Sequence, residues 1–505
     1  MALTNQIPVD GVATATTSAA ATSATSAAAT TTVATASAAA TSAAGAGTAA
    51  APGVTATSAT ATSAHEALVN TPNIPSALAR TVDLLQCLTG PNNASTGYSY
   101  DGPKQKVTLL GATGSIGDAS CSVLAQHPER YEVHGLVAYS NHYKMLKLIK
   151  QFRPARVAMF DEAAAAELKA ALALISHSEA ITTEVLAGEA GVIEVAGDGA
   201  AQIVIGAIVG AAGLKPLLAA LKTGARIALA NKEALVMSGQ LFFAEARKYG
   251  ATILPVDSEH SAIFQCLPPS EQVRMGSCEL AKVGVREILL TGSGGPFRNC
   301  KPQDLVAVTP AMAVNHPVWS MGPKISVDSA TMMNKALEFI EVRYLFNASA
   351  EQVKVLIHPQ AVIHSMVSYT DGAVMAQLGS PDMRTPVAVA LAYPERIASP
   401  VEPLDFTKYE ALTFKNPNPE LYPCLYLGMQ ASSLGQGSTT ALNAANEIAV
   451  AAFLEERLGF TQIAEVVAMV LEQVSGTSVH ELEEILALDS KARELARAAV
   501  IKLNP

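Results

Sequence analysis

From Lys104 to Asp257, short β-branched and apolar runs alternate with longer stretches of helical spacing, and this alternation constrains the chain more than any other feature. Parallel strands need a crossover of a dozen residues or more, usually a helix, so the pattern predicts a parallel sheet covered by helices on both faces. Strands are expected at 106–110, 133–138, 156–160, 202–205, 226–230 and 252–256, with a helix near 214–223. The fold class is therefore α/β, and residues 104–257 are expected to form a Rossmann-like, doubly wound domain.

The rest of the chain changes texture twice. Residues 258–392 mix strands at 287–291 and 353–357 with a helix over 330–346, which predicts an α+β domain. Residues 393–423 are proline-rich and poorly periodic, the mark of a linker. Within 424–505, apolar residues recur at helical spacing over 439–456, 460–474 and 479–503, and a small C-terminal helical bundle follows.

Ahead of the folded part, residues 1–64 are almost wholly Ala, Thr, Ser, Gly and Val, with Asp10 the only charge. They offer no amphipathic stripe to bury, so residues 1–100 are expected to form a disordered or weakly helical low-complexity extension. Transit peptides are rich in Arg, and the first Lys or Arg here is Arg80, which favours a cytoplasmic protein over a plastid one.

Half of the 505 residues are hydrophobic, yet no uninterrupted apolar run reaches the ~18 residues that a membrane helix needs, so no membrane partner is expected. A net charge of −10 argues against nucleic acid, whose phosphates call for a basic surface. The six cysteines are scattered without a CxxC pair, which indicates reduced thiols rather than zinc or a disulfide framework.

Several stretches carry candidate chemistry. Gly111, Gly114 and Gly117 follow a predicted strand and open a helix, where small residues let a pyrophosphate approach backbone N–H groups at the positive helix end. A plain strand-to-helix turn would read the same way. The second strand ends in Ala138-Tyr-Ser-Asn141 without an acid, so Ser140 and Asn141 suit the extra phosphate of NADP better than the ribose hydroxyl of NAD. Asn231-Lys232-Glu233 and Asp257-Ser258-Glu259 each follow a strand, at the carboxyl ends where open α/β sheets bind ligands.

In an extended chain Asp257 and Glu259 would share one side and one cation, whereas at a helix start Asp257 or Ser258 would act as a cap. A third carboxylate would complete a hard-cation site. Glu338 is the candidate, in a predicted helix capped by Asp328 or Ser329 on which Asn334, Lys335 and Glu338 share a face. An exposed ion pair is the alternative for that face. Ser293 lies in a glycine turn fit for a phosphate or for a simple turn, and Trp319 in a loop fit for a lid or a core anchor. His358 and His364 read as structural histidines.

In this order, Gly111-Ala-Thr-Gly-Ser-Ile-Gly117, Leu229-Ala-Asn-Lys-Glu233, Pro255-Val-Asp-Ser-Glu-His260, Leu290-Thr-Gly-Ser-Gly-Gly-Pro-Phe297, His316 to Gly322 and Ile325 to Glu338 closely resemble the 1-deoxy-D-xylulose 5-phosphate reductoisomerases. The resemblance runs from about Lys104 to the C-terminus. It implies a V-shaped homodimer subunit acting on a small phosphorylated sugar with NADPH and one Mg2+ or Mn2+. It also implies a rearrangement, drawn for the family as retro-aldol cleavage and realdol addition, followed by NADPH reduction to 2-C-methyl-D-erythritol 4-phosphate.

Carried over by position, Asp257, Glu259 and Glu338 match metal ligands, and Thr113, Gly114, Ser115, Ile116, Asn231, Glu233 and Gly322 match NADPH contacts. Lys232, Ser258, Ser293, His316, Ser329, Asn334 and Lys335 match substrate contacts, as do Glu259 and Glu338. Lys232 is implied to stabilise oxyanion charge, and Trp319 falls in the family's lid. The family often has Gly-Lys-Asn or Gly-Ser-Asn where this chain has Tyr139-Ser140-Asn141.

Overall fold

The computed structural model describes residues 100–179, 181–315 and 322–504. The low-complexity extension and the His316 and Trp319 positions lie outside these residues.

Seven parallel strands form the first sheet: β1 (Gln105–Leu110), β2 (Tyr131–Ala138), β3 (Arg156–Met159), β4 (Glu184–Ala187), β5 (Ile203–Gly206), β6 (Arg226–Leu229) and β7 (Thr252–Pro255), in the order 4-3-2-1-5-6-7. The connections between them carry helices α1 (Ser115–Leu124), α2 (His142–Phe152), α3 (Glu162–Glu179), α4 (Gly188–Ala196), α5 (Leu214–Leu221) and α6 (Lys232–Tyr249), helices of two turns or more being numbered. Because helices cover both faces, Leu109, Leu110, Leu136, Val157, Ile205 and Ile227 are all buried. Each such side chain contributes roughly 1.5–3 kcal/mol on burial. The edge strand β4 escapes sequence reading because it is only four residues long, starts on a glutamate and runs directly into the next helix.

Beyond β7 come α7 (Ser258–Cys266) and a four-stranded sheet of β8 (Val285–Gly292), β9 (Val353–Ile357), β10 (Ile363–Tyr369) and β11 (Val374–Leu378), ordered 11-10-8-9. The helix expected over 330–346 starts three residues later, as α9 (Met333–Phe346), and is preceded by α8 (Pro323–Ala330), a separate helix the sequence did not signal. Met332 breaks them apart in the left-handed region at φ 59°, while Thr331 Oγ1 donates to Val327 O and accepts from Met333 N. Asp328 and Ser329 therefore occupy the last turn of α8 and cap nothing, contrary to the sequence expectation.

After α10 (Arg384–Ala392), the chain is largely irregular until α11 (Pro423–Leu434). Three further helices close it: α12 (Gln436–Leu454), α13 (Gln462–Val474) and α14 (Leu482–Leu503). Sequence periodicity finds these three and misses α11. That helix runs unbroken through Gly428, which faces α9 so closely that a Cβ there would collide with Ala336. The five cysteines among the described residues are free, and none of the described helices is long and apolar enough to cross a membrane.

Helix α6 packs against both α9 and α12. It is bent at Ser238 (φ −140°, ψ 20°), and Gln436 of α12 splints the bend. Gln436 Nε2 donates to Val236 O at 3.0 Å, and its Oε1 accepts from Gln240 N at 3.2 Å, replacing one helical hydrogen bond with a side-chain amide. Thr440 Oγ1 donates to the next carbonyl, Met237 O, at 2.8 Å. Gln436→Leu orphans the buried Val236 carbonyl and is expected to cost about 1–3 kcal/mol, read as a lower urea midpoint at constant slope. An unchanged midpoint would show that the splint is dispensable.

Candidate active site

All seven strands of the first sheet point their carboxyl ends the same way, so the loops after β1, β6 and β7 meet at one edge. The chain crosses back between β4 and β5, leaving β1 beside β5 and opening a crevice at that edge. After β1, Gly111 turns at φ 91° and Gly114 precedes α1, while a Cβ at Gly117 would collide with the Ala112 carbonyl. The glycines therefore let the loop lie directly on the start of α1, with Gly114 at its N-cap and no side chain capping it.

A cavity of about 220 Å³ lies between this loop, the starts of α6 and α7, the end of β8, and helices α8 and α9. Ser115 and Ile116 line one side. Lys232, Asp257, Ser258, Glu259, Ser293, Gly322, Ser329, Asn334, Lys335 and Glu338 line the rest, together with His358 and His364.

Asp257 stands at the N-cap of α7, but its side chain accepts no capping hydrogen bond. Its carboxylate instead meets Lys232 Nζ at 2.7 Å. One ligand oxygen from each of Asp257, Glu259 and Glu338 falls within 4.8 Å of the other two. Glu338 is buried at the centre: Oε1 accepts from Lys232 Nζ at 3.1 Å and from Asn334 Nδ2, and Oε2 accepts from Lys335 Nζ. Lys335 Nζ also reaches Glu259 Oε1 at 2.6 Å, and Lys232 Nζ reaches Asn334 Oδ1 at 2.8 Å. The exposed ion pair weighed for Lys335 and Glu338 is thus a buried one.

Burial opposes the charge on Asp257, but the Lys232 ammonium and then His260 override it and hold the carboxyl below its usual range. Burial and then the Glu259 carboxylate push Glu338 up to about 7, against the pull of Lys335 and Lys232. Burial disfavours the charge on Lys232, yet Asp257 and Glu338 raise its pKa well above the ordinary lysine value. The arrangement is three hard carboxylates laced by two ammoniums, a donor set suited to Mg2+ or Mn2+ and not to a soft metal.

Other sequence candidates sit outside the cavity lining. Asn231 caps α6 by accepting from Ala234 N at 2.8 Å, and its Nδ2 donates to Ile208 O and Gly210 O. Both amide hydrogens are spent, leaving no side-chain donor for an anionic ligand. Glu233 faces Lys324 at 2.9 Å. Thr113 O accepts from Lys144 Nζ at 3.0 Å, and Lys144 also pairs with Asp118, tying α2 to the glycine loop. Asn141 caps α2 by accepting from Lys144 N at 3.0 Å, while Ser140 is exposed beside it. Tyr139, which takes a position often held by glycine in the resembled family, stacks on Phe160 at 5.4 Å between ring centroids.

Sequence reading set aside His358 and His364 and did not single out Lys144, Lys324, Met332 or Met383. His358 also lines the cavity, but both of its ring nitrogens are engaged within the protein: Nδ1 donates to Thr413 O at 3.0 Å, and Nε2 accepts from Val362 N and Ile363 N. His364 faces the cavity, a placement its position on an apolar strand did not signal.

Three family models match the chain: 1-deoxy-D-xylulose 5-phosphate reductoisomerase over residues 107–239, its C-terminal domain over 253–346, and a DXP reductoisomerase C-terminal domain over 378–495. A 1-deoxy-D-xylulose 5-phosphate reductoisomerase of Photobacterium profundum is 54% identical over 399 residues, covering 79% of this chain and all of the relative. The chain belongs to the 1-deoxy-D-xylulose 5-phosphate reductoisomerase family. The family member of Tolumonas auensis is equally similar, 54% identical over 79% of this chain and 99% of its own. Among solved members, a DOX-P reductoisomerase in complex with NADPH, fosmidomycin and magnesium is 45% identical with a TM-score of 0.75, covering 79% of this chain and 99% of that one. The Zymomonas mobilis enzyme in complex with NADPH is 43% identical with a TM-score of 0.72, covering 79% and 99%.

Proposed function

We infer that this reductoisomerase-family chain converts 1-deoxy-D-xylulose 5-phosphate to 2-C-methyl-D-erythritol 4-phosphate, using NADPH and one divalent cation, in isoprenoid precursor synthesis. The observation that carries the reading is the meeting of Asp257, Glu259 and Glu338 in a cavity that Ser115 and Ile116, at the end of the glycine loop, also line. When bound, a Mg2+ or Mn2+ ion supplies Lewis-acid polarisation of the substrate ketone, and NADPH supplies the hydride.

The protein's own groups divide the remaining work. Asp257, Glu259 and Glu338 would hold the cation. Lys232, kept protonated by its two carboxylates, would stabilise developing oxyanion charge. Ser293, Ser329, Asn334, Lys335 and His316 would hold the substrate's phosphate and hydroxyls, with Ser258 beside the metal ligands. That remote binding energy aligns the reacting carbons. The glycine loop at Thr113 to Ile116, with Ser140, Asn141 and Gly322, would bind NADPH, and Asn231 and Glu233, whose side chains are committed within the protein, would take part through the backbone.

The assay follows NADPH oxidation with 1-deoxy-D-xylulose 5-phosphate and Mg2+. Turnover is expected, with loss of activity in EDTA and recovery on adding Mg2+ or Mn2+. Metal-independent reduction would instead favour an ordinary NADP dehydrogenase, which needs no three-carboxylate centre. NADPH binding without turnover would favour a non-catalytic binding protein. Division into an NADPH domain (104–257), a catalytic domain (258–392), a linker (393–423) and a helical domain (424–505) is part of this proposal. So are a cytoplasmic location, supported by scattered free thiols and bacterial relatives, and a homodimer, which light scattering tests.

A further inference from the structure

Behind the cavity wall, a buried ion cluster joins three parts of the chain. Lys324 Nζ lies 2.9 Å from Glu233 Oε1 and 2.8 Å from Asp328 Oδ2. Asn446 Nδ2, from α12, donates to the other Asp328 oxygen, Oδ1, at 2.9 Å. The side chains of Glu233 and Asp328 are only 6% and 2% exposed, so neither is a solvated surface charge. A carboxylate this deep without a cation must move or take up a proton.

The neighbours of these residues give the cluster its meaning. Lys232 and Glu233 share the first turn of α6: Lys232 faces the cavity and reaches Asp257 and Glu338, while Glu233 lies outside the lining and meets Lys324. Asp328 and Ser329 divide in the same way on α8, with Ser329 lining the cavity and Asp328 held from behind. Lys324 itself is not part of the lining. One ammonium thus ties together the backs of two turns whose fronts carry an oxyanion-stabilising lysine and a substrate-side serine.

We propose that Lys324 is a positioning residue, fixing the Lys232 turn of α6 against the Ser329 turn of α8, with Asn446 anchoring α8 to the C-terminal helices. The inference rests on the functional reading above. Misplacing reacting groups by about 1 Å can cost on the order of a hundredfold in rate. Lys324→Met, assayed at saturating metal and NADPH, is therefore expected to lower kcat roughly 10- to 100-fold with a KM change for the sugar phosphate under about threefold. Lys324→Arg, which keeps the charge and can donate to both carboxylates, is expected to recover most of the loss.

Wild-type kcat in a folded Lys324→Met protein overturns the proposal, as does an Arg variant no better than Met. Should the Met variant fail to fold by circular dichroism, Asn446→Ala leaves every charge in place and decides the matter. Its kcat is expected to fall roughly 3- to 10-fold, and a wild-type kcat there also overturns the proposal. Wild-type protein run alongside separates the two ideas, because its failure to turn over the sugar phosphate removes the functional reading itself.

Discussion

Glu338→Gln is expected to lower kcat by roughly a thousandfold or more while NADPH still binds with near wild-type affinity. The substitution keeps the shape of the side chain and removes one of three carboxylates whose oxygens lie within 4.8 Å of one another. It also places an amide where Glu338 now accepts from Lys232, Asn334 and Lys335, so at least one donor is left facing another donor. The side-chain partners of Glu338 are Lys232, Asn334 and Lys335, none of them in the glycine loop. Metal titration of activity and NADPH fluorescence quenching separate the two effects. Undiminished turnover would remove Glu338 from the metal set.

Lys232→Met is expected to lower kcat by roughly 100- to 1000-fold, the usual cost of a lost preorganised oxyanion donor. Its signature differs from that of Glu338→Gln in one direct respect. Lys232 neutralises Asp257 and Glu338, at 2.7 and 3.1 Å, so its removal leaves the carboxylates more negative and does not weaken metal affinity. Asp257 and Glu338 raise its pKa well above that of an ordinary lysine, which supports the proposed part as a donor over that of a base. Activity within threefold of wild type at saturating metal would sink this role.

Much of the fold was legible because the buried parallel sheet imposes near-continuous apolar runs, which β1 and β6 display to within a residue of the expected bounds. The elements misread are those whose reason lies elsewhere in the molecule. α11 carries Gly428 because α9 approaches too closely for a side chain, and the helix expected from 330 starts only after Met332, a residue with no helix-breaking character of its own. The competing readings of Asp257 resolve the same way. It occupies a helix N-cap, as its position after a strand suggests, yet Lys232 takes its carboxylate.

Residue order and period alone determined the parallel sheet, the glycine loop after β1, and the placement of Lys232 and Asp257 at strand ends on one edge. Family resemblance, read from the same residues, nominated Glu338 as their partner. Only the tertiary structure decided that Glu338 lies against Lys232 and Lys335 in a buried cluster, that Gln436 splints the bend in α6, and that Lys324 and Asn446 brace Glu233 and Asp328. Periodicity reports which residues share a face of one element. A hydrogen bond or ion pair between elements depends on where each face is carried by the packing of the whole chain, and no local spacing encodes that distance.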